Sequence, residues 1–142
     1  MTRVEHIRAS LVAMITDLRR PDGSLVLAST FDHVPKDLLK LPAATLEFTG
    51  IDQEYTSTGG GADVRWKFEL VIYLNIAADR AVRVQDDLGD ALYALAAALR
   101  DDPTLSGLVD IVNLSDGEKP TVLEGGGYIM KTVELIATTE EA

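Results

Sequence analysis

The run ADVRWKFELVIYLNIAAD, from Ala62 to Asp79, constrains the fold more than any other stretch. Val64, Trp66, Phe68, Leu70, Ile72, Leu74 and Ile76 recur at every second position, while Arg65, Lys67 and Glu69 fall between them. That period of two is the signature of a strand with one face on a core. The opposite face turns apolar at Val71 and Tyr73, so the second half of the strand is expected to be covered on both sides.

The segment before it, AATLEFTGIDQEYTST, reads as a second strand with Leu46 and Phe48 on one face. Between the two sits TSTGGGAD, whose consecutive glycines permit the positive backbone angles of a hairpin loop. The pair is expected to form a long antiparallel hairpin with its tip at Thr58, Gly59, Gly60, Gly61 and Ala62. Two further strands are expected at GLVDIVNL and YIMKTVELIAT, joined by SDGEKPTVLEGGG. In the last strand Ile129, Val133, Leu135 and Ala137 face one way, and Lys131 lies on that same side.

Two helices complete the pattern. Val4, Ile7, Leu11, Met14, Ile15 and Leu18 make an amphipathic stripe from Thr2 to about Leu18. Pro21 and the PDG turn end it, with Arg19 and Arg20 placed to oppose the partial negative charge of the helix end. The second helix, from about Arg80 to Arg100, carries Val84, Leu88, Leu92, Leu95 and Leu99, padded by alanines. SLVLAST suits a short strand, and DHVPKDLLKLP is a connector with two prolines and room for one helical turn. Hairpin-linked strands with two main helices define an α+β class, a mostly antiparallel sheet packed against helices.

A chain of 142 residues is ordinary for one domain, here 1–142, with TTEEA, about 139–142, expected to be a flexible tail. No apolar run approaches the roughly 18 residues that span a bilayer, and MTRVEHIRAS lacks the features of a signal peptide. Synthesis in a cytoplasm and no membrane contact are the expectations. The absence of cysteine excludes disulfides, thiolate metal sites and cysteine nucleophiles. A formal net charge of −10 argues against broad capture of nucleic-acid phosphates, which depends on clustered Lys and Arg.

Candidate chemistry was weighed residue by residue. The glycine runs Gly59 to Gly61 and Gly125 to Gly127 lack the Gly-Lys-Ser/Thr ending of a phosphate loop and join strands, so they read as turns, Lys119 notwithstanding. His6 sits beside the first helix's apolar stripe, on solvated surface. Asp32 beside His33 would be half of an acid–base pair only if the fold brought a third group near, and with no nucleophile motif present catalysis there is not expected. Asp86 and Asp90 stand one helical turn apart, with Asp87 offset, and the helix dipole explains them more simply than a cation does. Trp66, Phe68 and Tyr73 alternate with aliphatics as core residues do. No catalytic residue, metal site or cofactor is expected.

The joint LRDDPTLSGLVDIV is constructional: Asp102 before Pro103 starts a turn, Pro103 stops the helix, and Gly107 lets the chain enter a strand. With the alanine- and leucine-rich helix QDDLGDALYALAAALRDDPTLSGLV, the strand WKFELVIYLNIAAD before it, two strands after it and the opening helix VEHIRASLVAMITDL, this joint resembles the tail terminator and tail completion (minor tail) proteins of tailed bacteriophages. The likeness runs from Val4 to about Thr138 and rests on element order and the joint, without a catalytic signature.

The resemblance implies a structural virion-assembly role rather than an enzyme. Subunits would associate with themselves in a ring, expected to be hexameric, at the head-proximal end of the tail. There they would contact the tail tube protein and a head–tail connector or neck protein, while DNA passes without specific binding. Thr58 to Ala62 would be an arm toward a neighbour or the tube, since an exposed hairpin edge can pair with another chain. Two alternatives stand beside it: a connector or neck protein one layer higher, and a small α+β barrel enzyme or ligand-binding protein with a pocket between subunits.

Overall fold

The computed structural model describes residues 2–32, 41–55, 60–75, 81–115, 120–122 and 128–141. Its first helix, α1 (Arg3–Thr16), starts where the sequence supplies a reciprocal cap. The Thr2 hydroxyl accepts the Glu5 N–H at 3.3 Å, and the Glu5 carboxylate accepts the Thr2 N–H at 2.7 Å. Ile7, Leu11 and Ile15 lie on one stripe and are fully buried.

The helix ends before Leu18, and its last turn holds no basic residue. The expectation that Arg19 and Arg20 offset the helix-end charge is therefore corrected. Arg19 donates to the Gly23 carbonyl at 2.9 Å, and Arg20 to the Leu25 carbonyl at 2.8 Å, so both pin the turn that follows. Gly23 supplies that turn's left-handed residue at φ +89°.

SLVLAST is not a strand along its length. Leu25 bridges back to Arg19, Val26 and Leu27 are buried, and only Ser29–Phe31 (β1) finds a strand partner, parallel to Ala43–Thr45. The connector expected from Asp32 to Pro42 lies largely outside the described residues.

The expected hairpin is present as β2 (Ala43–Tyr55) and β3 (Ala62–Asn75), antiparallel throughout. Helix α2 (Ala81–Asp101) follows, then β4 (Ile111–Ser115), β5 (Thr121–Val122) and β6 (Tyr128–Glu141). The sheet order is β1-β2-β3-β6-β4, with β5 pairing β6 as well. All pairings except β1 with β2 are antiparallel. The fold is α+β.

Both helices cover one face of the sheet, here the inner face. Ile7, Leu11 and Ile15 of α1 and Ala91, Leu95 and Leu99 of α2 join Leu46, Phe68, Leu70, Ile72, Val112, Val133 and Leu135 in one buried cluster. Burying large aliphatic and aromatic side chains is worth about 1.5–3 kcal/mol each, so this cluster is the main stabilising term. The alternation of β3 sets the pattern, because each even-numbered residue faces an odd-numbered residue of β6 across the ladder.

Tyr73, on the other face, is 8% exposed, in agreement with the expected cover on both sides there. Lys131 sits on the inner face opposite Ile72 and is buried. The segment expected to be a frayed tail continues β6: Thr139 is buried and Glu141 pairs with Ala62.

The joint after α2 is tighter than a simple turn. Leu105, Ser106 and Gly107 take successive left-handed conformations, at φ 51°, 59° and 88°. Asp102 accepts the Ser106 N–H at 2.8 Å, the Thr104 hydroxyl accepts the Gly107 N–H at 3.0 Å, and buried Leu105 anchors the loop. Left-handed backbone at a bulky residue persists only where such contacts over-determine it. The Pro103 carbonyl then accepts the Val112 N–H at 2.8 Å. This delays β4 to Ile111 and caps part of that outer edge of the sheet.

Candidate assembly surface

Beyond Glu47 the inner face of β2 emerges to solvent, while Ala62 and Val64 of β3 and Ala137 and Thr139 of β6 beside it stay buried and Arg3 of α1 reaches Glu141. From there β2, the first half of β3 and the end of β6 form one end of the sheet, here the arm, whose two faces differ in chemistry. On the inner side, Phe48, Ile51 and Tyr55 are 37%, 52% and 73% exposed. Trp66 and Phe68 lie beside them, with Phe48 5.5 Å from the Phe68 ring and 6.5 Å from that of Trp66. Exposed apolar groups that adjoin one another in this way mark interaction surfaces more often than isolated ones do.

The sequence hides this patch because its parity changes. The register shifts between Phe48 and Gly50, leaving Thr49 as the extra residue of a bulge, with its hydroxyl donating to the Lys67 carbonyl at 3.3 Å. Past that point odd-numbered residues take the inner face, so Ile51 and Tyr55 join Phe48. Gly50 inside a strand pattern is the signal that could have revealed it.

The outer side of the arm is acidic. Glu47, Glu69 and Glu134 stand directly opposite one another across β2, β3 and β6, and Glu54, Asp63 and Glu140 make a second such row. Two cations lie among them: Lys67 pairs with Asp52 at 2.6 Å, and Arg65 pairs with Glu54 at 3.0 Å. The hydrogen bond to Asp52 and its charge hold the Lys67 ammonium above its usual 10.5. Like charges directly opposite on a sheet are destabilising, so these rows cost the sheet some stability.

The residues expected at the arm's tip are placed in part. Thr58 and Gly59 lie outside the described residues. Gly60 is exposed at φ +98°, Gly61 is half-buried, and Ala62 is buried as the first residue of β3, paired with Tyr55 and Glu141 rather than in the loop.

The remaining candidates fall elsewhere. His6 is exposed, and His33 lies outside the described residues. The dipole explanation for Asp86, Asp87 and Asp90 is corrected, since the first turn of α2 holds no acidic residue. Instead Arg20 reaches Asp87 at 3.6 Å and Asp90 at 3.4 Å, tying the turn after α1 to α2. A groove of about 820 Å³ runs between the helices beside this contact, floored by Ala13, Ala94 and Ala98. Among the described residues no group of three or more His, Asp or Glu is arranged to hold a metal ion. Likewise, among those residues no helix is long and apolar enough to cross a membrane.

Neither family models nor curated proteins give a match to the chain. A solved structure described as the virion of a native gene transfer agent particle is similar at 17% identity and a TM-score of 0.45, over 96% of this chain and 91% of that one. That similarity is too distant to decide a role.

Proposed function

We propose that the chain is a structural subunit of a tailed-phage-like virion, a tail terminator or completion protein. Copies would close into a ring that caps the tail tube and joins it to the head or neck. The observation that supports this reading is the two-faced arm: an exposed apolar row, Phe48, Ile51 and Tyr55, suits contact with protein, and an acidic face suits a passage for DNA that must not adhere. The sequence resemblance supplies the setting, and the ring is the closed form expected of a heterologous subunit contact. A connector or neck protein would use the same surfaces one layer higher.

The arm tip, Thr58 to Ala62, remains the proposed interface toward a neighbour or the tube. Deleting Gly59 to Gly61 is expected to leave the monomer folded, with unchanged circular dichroism, while abolishing ring formation and tube capping. Rings formed unimpaired by the deletion variant would overturn the assignment of the tip.

A further inference from the structure

The two outer edges of the arm's sheet are unequal. On the β4 side the Pro103 carbonyl already occupies the Val112 N–H. On the β2 side, β1 pairs only with Ala43 to Thr45, and among the described residues nothing pairs with the edge from Glu47 to Tyr55. An open edge of this length presents unpaired backbone donors and acceptors to any extended chain that reaches it.

We propose that this edge receives an extended strand from another protein, one whose side chains alternate apolar and basic. The inner row, Phe48, Ile51, Gln53 and Tyr55, is apolar at three of its four positions and calls for apolar partners there. The outer row, Glu47, Asp52 and Glu54, favours cations on the open side too, although Asp52 and Glu54 each already meet one from β3. The paired edge of β2 already displays that solution, because β3 sets Trp66 and Phe68 on the inner side and Arg65 and Lys67 on the outer. Main-chain bonds would provide the affinity and the two rows the selectivity.

A second copy fits poorly. Symmetric pairing of two β2 edges would bring carboxylate rows together, which costs stability, and on the short β4 edge of a neighbour the Val112 N–H is already taken by its own joint. The proposal deepens the assembly reading by naming the chemistry of a partner, and rests on that reading for the partner's setting.

The test uses the full chain and a soluble peptide alternating valine and lysine, with blocked ends. Trp66 is the sole tryptophan and borders the patch, so its emission reports cover of the inner face. Saturable binding is expected, with a blue shift of that emission and new protection of those β2 amides, every second one, that face away from β3. A peptide with glutamate in place of lysine should bind at least about tenfold more weakly. Ile51→Lys should abolish binding with the melting temperature unchanged, while Leu25→Lys, at an exposed site outside the arm, should not.

Equal binding of a peptide with the same composition in blocks, no change at Trp66, or a self-associated edge that the peptide fails to displace would each overturn the proposal. A chain that forms rings yet ignores the peptide refutes this inference and leaves the assembly reading standing. Peptide binding by a chain that never forms rings does the reverse.

Discussion

Trp66 donates its indole N–H to the Thr139 hydroxyl at 3.0 Å, joining residues 73 positions apart. Thr139 in turn donates to Glu141 at 3.1 Å, and Glu141 pairs with Arg3 at 3.4 Å. The chain of contacts fastens the end of β6 to β3 on one side and to the start of α1 on the other, and so holds the far end of the arm against the first helix. Thr139→Val keeps the shape and leaves the indole N–H without its partner. The variant is expected to lose about 1–2 kcal/mol in urea denaturation, with part of the loss recovered by Trp66→Phe in the same chain.

Glu69 stands between Glu47 and Glu134 on adjacent strands. Replacing it with glutamine removes two unfavourable neighbours at one stroke. Glu69→Gln should stabilise the fold by about 0.2–1 kcal/mol at low ionic strength, measured by denaturant midpoint. The gain should shrink in high salt, where such exposed charges are screened.

The same glycine-to-alanine change is expected to act with opposite sign at two sites. Gly107 sits at φ +88°, where a side chain is strained although the space beside it is open. Gly107→Ala should therefore cost about 1–2 kcal/mol. Gly89 lies exposed inside α2 with open space around it. Gly89→Ala should stabilise by about 0.5–1 kcal/mol, and thermal melts of the two variants check both signs.

Asp22 accepts hydrogen bonds from the Ser24 hydroxyl at 2.6 Å and the Ser24 N–H at 2.9 Å, which lower its carboxyl below the ordinary 3.8. Because the folded carboxyl is the stronger acid, its stabilising contribution is present above that ordinary value and is lost as the pH falls through the folded one. Titration followed by NMR should show Asp22 protonating below 3.8. Ser24→Ala should move it upward.

What was legible in the sequence was what repeats locally. The alternation from Val64 to Leu74 located the central strand and its core face, and the stripes of Ile7, Leu11, Ile15 and Leu95, Leu99 located the helices, since burial selects residues at each element's own period. What was not legible depends on events without a period. One bulge at Thr49 moves Ile51 and Tyr55 to the opposite face from the one a plain alternation assigns. Successive left-handed residues at Leu105 and Ser106 carry no local signal, because the bonds from Asp102 and the burial of Leu105 stabilise them. Arg20 meets Asp87 and Asp90 only once the two helices are packed. The exposed row of Phe48, Ile51 and Tyr55 was not legible either.

Light scattering over a wide concentration range, with negative-stain electron microscopy of the largest species, tests the central claim most directly. The account predicts a closed ring with an open central channel. A compact dimer without a channel, stable on dilution, would contradict it and favour a ligand-binding or enzymatic role.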